Sequence, residues 1–184
     1  MSEKNVLDEK LTYSDENKII IEYIKENILT YHMTSDELFE KNMVEDKKYD
    51  FIFIDGDHRE FQVTKDIKNA LEHLNTNGYV MLHDTLPPFK EAGMDERLYP
   101  TWMGTVWKSV IKLNSLYEGL EYHTIDTDCG CCLIRKTNGF KIKKEYISSD
   151  FDYDIVFGNE TIRNSIFNVI TTEEFKRLLE LGEL

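Results

Sequence analysis

The sequence predicts an α/β domain built on a mostly parallel sheet with an antiparallel C-terminal hairpin, and three observations carry the prediction. An apolar run, Tyr49-Asp50-Phe51-Ile52-Phe53-Ile54, stops abruptly at Asp55-Gly56. A helical stripe follows it and leads to a second apolar run, Tyr79-Val80-Met81-Leu82, which stops at His83-Asp84. Further along, two short strand-forming segments flank a glycine turn. A chain of 184 residues, 41% of them hydrophobic, is long enough to bury one ordinary core, so a single domain over residues 1–184 is expected.

Taken in order, Ile19-Ile20-Ile21-Glu22 reads as a strand ending in an acid, against a helix from Asp15 to Ile28. The 49–54 run is rich in aromatic and β-branched residues and reads as a strand buried on both faces. Val63, Ile67, Ala70, Leu71 and Leu74 recur at helical offsets and form one apolar stripe. Asn77-Gly78 is read as the end of that helix, because glycine commonly follows a helix terminus. Strand, helix and strand make a crossover unit, whose two strands run parallel and end on the same edge of the sheet. Thr85 to Met103 carries all three prolines and reads as an irregular loop at that edge, a candidate lid. A helix is expected from Thr105, with Val106, Val110 and Leu113 on one stripe. Leu120–Thr127 and Cys131–Lys136 then read as a hairpin about Asp128-Cys129-Gly130. Thr171-Thr172-Glu173-Glu174 has a capping-box pattern and opens a docked terminal helix with Phe175, Leu178 and Leu179 on one face.

The formal charge is −13, so the average surface repels phosphate backbones and anionic headgroups, and neither nucleic acid nor membrane is an expected partner. The polar, charged amino terminus lacks the apolar stretch of a signal peptide, and no segment approaches the about 20 apolar residues of a membrane span. Three cysteines crowded into 129–132 make a poor disulfide framework and fit a reducing, cytoplasmic setting. The same cluster lacks the four ligands and paired spacing of a zinc site, so an ordinary turn is expected there. His32, His73 and His123 stand apart from any motif, and of Trp102 and Trp107 at least one is expected in the core, the other at a pocket.

In open parallel sheets ligands bind outside the carboxyl ends of the strands. Here those ends carry Asp55-Gly56-Asp57-His58 and His83-Asp84. Two carboxylates and two imidazoles brought to one edge can hold a divalent cation, and can also take a proton from a hydroxyl. The plainer alternative is that Asp57 or Asp84 caps the segment after it and His83 is an interior histidine.

The order of strand, DGDH, amphipathic helix, glycine, strand and HD resembles the class I S-adenosylmethionine-dependent methyltransferases that include macrocin-type sugar O-methyltransferases. Lys65-Asp66-Ile67, Thr34 to Phe39, Gly104 to Lys108 and Asp126 to Gly130 resemble further stretches of that family. The resemblance implies a Rossmann-like methyltransferase sheet and S-adenosylmethionine as cofactor. It implies O-methylation of a small-molecule acceptor, a sugar among the candidates, with Mg2+ assistance. Asp55 and Asp84 match the positions that hold magnesium, with His83 beside them as a further ligand. His58 stands where a general base would stand, and Asp57 is the second catalytic candidate. Ser35 and Asp36 fall in the region approaching the adenine, Glu22 matches the acid on the ribose hydroxyls, and Asp55 also borders the cofactor. A homo-oligomer is compatible with this reading.

The chain departs from the family at one point: its first glycine is Gly56, so no glycine-rich turn precedes Ser35. A domain lacking that motif is expected to be N-terminally shortened, to have a rebuilt cofactor site, or to have become a non-catalytic binding or scaffold module. A strand ending Asp55-x-Asp57 also matches the start of haloacid-dehalogenase-like phosphatases, although Arg59 stands where those prefer threonine or valine.

Overall fold

A computed structural model of the chain describes residues 31–41, 43–143 and 150–184. The chain divides into two compact units, Met1–Val44 and Glu45–Leu184. The strand expected at Ile19–Glu22 lies outside the described residues.

In the first unit, helix α1 spans Ser35–Glu40. Thr34 starts it because its hydroxyl accepts from the Glu37 N–H at 3.2 Å while the Glu37 carboxylate accepts from the Thr34 N–H at 3.1 Å. This reciprocal pair satisfies two of the donors that a helix start leaves open.

The second unit runs β1 (Tyr49–Ile54), α2 (Glu60–His73), β2 (Leu74–Leu82), a 3₁₀ turn (Lys90–Gly93), α3 (Val106–Leu116), β3 (Tyr117–Ile125) and β4 (Cys131–Ile142). It closes with α4 (Tyr153–Phe157), α5 (Glu160–Phe167), β5 (Val169–Ile170) and α6 (Thr172–Leu181). One five-stranded sheet has the order β1-β2-β4-β3-β5. β1 pairs with β2 and β3 with β5 in parallel, whereas β2–β4 and β3–β4 are antiparallel. The sheet is therefore mixed rather than mostly parallel, because β4 turns back and inserts between β2 and β3.

Ile54 stands opposite Leu82, so β1 and β2 end level with each other. That register places Asp55 and His83-Asp84 at one edge. The helices α2 and α3 supply the core that fixes it. Val63, Ile67, Ala70 and Leu71 of α2 and Val106, Trp107, Val110 and Leu113 of α3 are all buried against Val80, Leu82 and Ile134 of the sheet. Each large side chain so buried contributes about 1.5–3 kcal/mol. The two helices are also tied by polar groups. Thr105 Oγ1 accepts from the Glu60 N–H at 2.9 Å, which supplies the cap that Arg59 does not. The buried Lys112 ammonium pairs with the Glu60 carboxylate.

Several expectations are corrected. β1 is not buried on both faces: Phe51 and Phe53 are each 53% exposed, because among the described residues β1 is the sheet's edge and only the Ile52/Ile54 face meets the core. Helix α2 ends at His73, and Gly78 lies inside β2. A Cβ at Gly78 would come within 2.9 Å of the Asp50 carbonyl and 3.0 Å of that of Tyr49, so glycine serves a close strand approach at the irregular start of the β1–β2 pairing. Helix α6 starts on Thr171 as expected, with the Glu174 N–H donating to its hydroxyl at 3.1 Å, but it buries no residue. Its end is held instead where Tyr79 Oη donates to the Leu184 carbonyl at 2.7 Å. No helix among the described residues is long and apolar enough to cross a membrane.

Candidate active site at the paired strand ends

Asp55 follows β1 directly, and Asp84 follows β2 after His83. His58 returns toward both acids from the turn before α2. Its Nε2 lies 3.4 Å from Asp55 Oδ1 and 3.5 Å from Asp84 Oδ2. One ligand atom from each of Asp55, His58 and Asp84 falls within 4.8 Å of the others, the one such metal-competent trio among the described residues. The side chain of Asp84 is 11% exposed and that of Asp55 41%, so the trio is largely enclosed at Asp84 and open to solvent at Asp55.

His83 stands behind the acids. Its Nδ1 is 3.5 Å from Asp55 Oδ1 and 3.4 Å from Asp84 Oδ1, yet it is buried without a hydrogen-bond partner, while its Nε2 meets Asp128 Oδ2 at 3.2 Å. Burial pushes the Asp84 carboxyl above its ordinary value; the two imidazoles pull it back, and Asp55 and Asp128 add to the rise. For His83 burial opposes the charge, but Asp84, Asp128 and Asp55 together outweigh it and raise the imidazole's pKa.

The backbone is shaped for this convergence. Asp84 adopts φ 60°, a left-handed conformation that costs a non-glycine residue energy and is held here by its surroundings. Thr85 and Leu86 donate to the carbonyls of Gly130 and Cys129 at 3.1 and 2.7 Å. Gly130 has φ 90°, and a Cβ there would lie 2.6 Å from Thr85 Oγ1. The β3–β4 turn thus clamps the segment after Asp84.

Of the residues singled out from sequence, the structure brings Asp55, His58, His83 and Asp84 together. Asp57 is turned away, accepting from the Arg59 N–H at 3.0 Å and from Arg59 Nη1 at 3.1 Å, so it shapes the turn before α2. Ser35 and Asp36 occupy the first turn of α1 in the other unit, and Glu22 lies outside the described residues. Trp107 is a core residue, and Trp102 stacks on His58 with ring centroids 5.3 Å apart. The sequence reading did not assign Trp102 to His58; no spacing rule joins positions 44 apart. Cys129 and Cys131 adjoin the site, and burial together with Asp84 and Asp128 raises both thiols, which disfavours the thiolate a zinc ligand needs.

The donor set fits a divalent cation. Two carboxylates and an imidazole nitrogen converge, and His58 Nδ1 meets the Trp102 carbonyl at 3.1 Å. A carbonyl only accepts, so Nδ1 carries a proton and Nε2 is the nitrogen turned to the acids, the orientation common to metal-bound histidines. No curated protein matches the chain. Residues 5–85, a span that ends one residue past Asp84 and includes all four converging side chains, match the family model described as a methyltransferase domain.

Proposed function

We propose that the chain transfers a methyl group from S-adenosylmethionine to a hydroxyl oxygen of a small-molecule acceptor, a sugar being the first class to try, with a divalent cation held at Asp55 and Asp84. The observation that carries the reading is the convergence of Asp55, His58 and Asp84 within a segment matching a methyltransferase domain. Adenosylmethionine, when bound, supplies an electrophilic methyl group, and a cation such as Mg2+ supplies positive charge that favours the ionised acceptor hydroxyl.

Asp55 and Asp84 bind and orient, since both present carboxylate oxygens to the same His58 nitrogen. His58 Nε2, aimed at the acids because its other nitrogen is committed to Trp102, joins Asp55 and Asp84 in holding the cation, and the acceptor's hydroxyl proton leaves to solvent on the more exposed Asp55 side. His83 braces the acid pair and passes to Asp128 at the rim. The low exposure of Asp84 limits water there, which strengthens its contact with His58.

Titration calorimetry with S-adenosylhomocysteine tests the reading. Binding is expected, and none at millimolar concentration with folded protein removes it. The match over 5–85 gives the phosphatase reading no support.

A further inference from the structure

The loop between β2 and α3 ends in a contact that sequence spacing does not announce. Trp102 stacks on the His58 ring at 5.3 Å with planes 22° apart, and its carbonyl meets His58 Nδ1 at 3.1 Å. Three residues on, the Thr105 N–H donates to the His58 carbonyl at 2.8 Å. Between them Gly104 has φ 58°, and a Cβ there would lie 2.3 Å from the His58 carbonyl oxygen, so only glycine lets the two strands of chain approach this closely. Trp102 is fixed in turn, its Nε1 donating to the Met94 carbonyl at 2.7 Å, and Thr105 Oγ1 donates to Asp95 at 2.8 Å.

We infer that Trp102 and Gly104 are positioning residues for His58: the Trp102 carbonyl selects the Nδ1–H tautomer, the indole holds the ring plane, and Gly104 lets the loop close on the His58 backbone. Two contacts from Trp102 act on the ring and one, at Gly104 and Thr105, acts on the His58 backbone, and together they present Nε2 to Asp55 and Asp84. A histidine free to rotate would offer either nitrogen, in either tautomer, to the acids. The loop therefore acts as part of the site's scaffold, and its order and ligand binding at the strand ends are coupled. The coupling rests on the cation reading above; the tautomer selection stands without it.

The test is nitrogen-15 NMR of the imidazoles in the metal-free full chain at alkaline pH, where free imidazole is neutral. The His58 signals are assigned by their loss in His58→Gln. Mn2+ affinity is measured in parallel. In the wild type His58 is expected as the single Nδ1–H tautomer. Gly104→Ala, which displaces the segment carrying the Trp102 carbonyl, is expected to give a mixture and to weaken Mn2+ binding about 10-fold or more, the usual scale for a lost outer partner of a ligand. Trp102→Ala keeps that carbonyl and loses the indole, so it is expected to weaken Mn2+ binding through the freed ring plane, and Trp102→Phe, which keeps an aromatic face, restores most of the affinity. An unchanged tautomer in folded Gly104→Ala, an unchanged Mn2+ affinity in Trp102→Ala, or a wild type already mixed, overturns the inference. A wild type that shows the single tautomer but binds no Mn2+ upholds the inference and removes the cation reading instead.

Discussion

At the scale of single residues, Asp84 concentrates the site's tension: a carboxylate nearly buried, beside a second acid, on a left-handed backbone. Two substitutions separate charge from backbone. Asparagine tolerates φ 60°, whereas alanine there costs about 1–2 kcal/mol. Without divalent cation, Asp84→Asn is expected to melt at or above the wild-type temperature and Asp84→Ala below it; thermal melts check this. The pH dependence follows from the raised values of Asp84 and His83. Both groups hold their protons more tightly folded than unfolded. Their contribution to stability is full below the unfolded values and is lost as pH rises, first from the ordinary carboxylate range through the raised Asp84 value, then from the ordinary imidazole range through that of His83. Urea melts across pH should therefore show metal-free stability falling through both windows. Asp84→Asn should flatten both, since Asp84 is the largest cause raising His83.

At the scale of elements, the legible parts were those with local signals. The stripe of Val63, Ile67, Ala70 and Leu71 marked α2, and the apolar runs marked β1 and the end of β2, because period and composition are properties of short windows. Gly78 was misread because a helix end and a close strand crossing both call for glycine, and only the neighbouring carbonyls of Tyr49 and Asp50 tell them apart. The insertion of β4 between β2 and β3 was not legible, as pairing order is decided by contacts far apart in sequence. Elements α4, α5 and β5 also went unseen, although Phe167 of α5 is completely buried and packs on Phe157 at 5.5 Å. Conversely Leu179 of α6 is 60% exposed. Phe167→Ala is thus expected to cost about 3–5 kcal/mol, and Leu179→Ala less than about 0.5 kcal/mol. Equal losses in denaturant melts would show that α6 is docked as its sequence pattern first implied.

At the scale of the whole molecule, strand register does the work of the site. Because Ile54 and Leu82 stand opposite one another, residues some thirty positions apart arrive at one edge, and the side chains there were legible from the strand-end rule alone. Which histidine joins the acids and which braces them was not, since that depends on Trp102 and Asp128 closing from two different loops. A net charge of −13 makes any cation stabilising in a general way, so specific binding must be measured against monovalent salt at equal ionic strength. The most direct measurement is Mn2+ binding by titration calorimetry to wild type and to Asp84→Asn in such a background. One site per chain in the wild type, lost in Asp84→Asn, is the predicted result. Equal binding by the two proteins, or none by the wild type, would contradict the account.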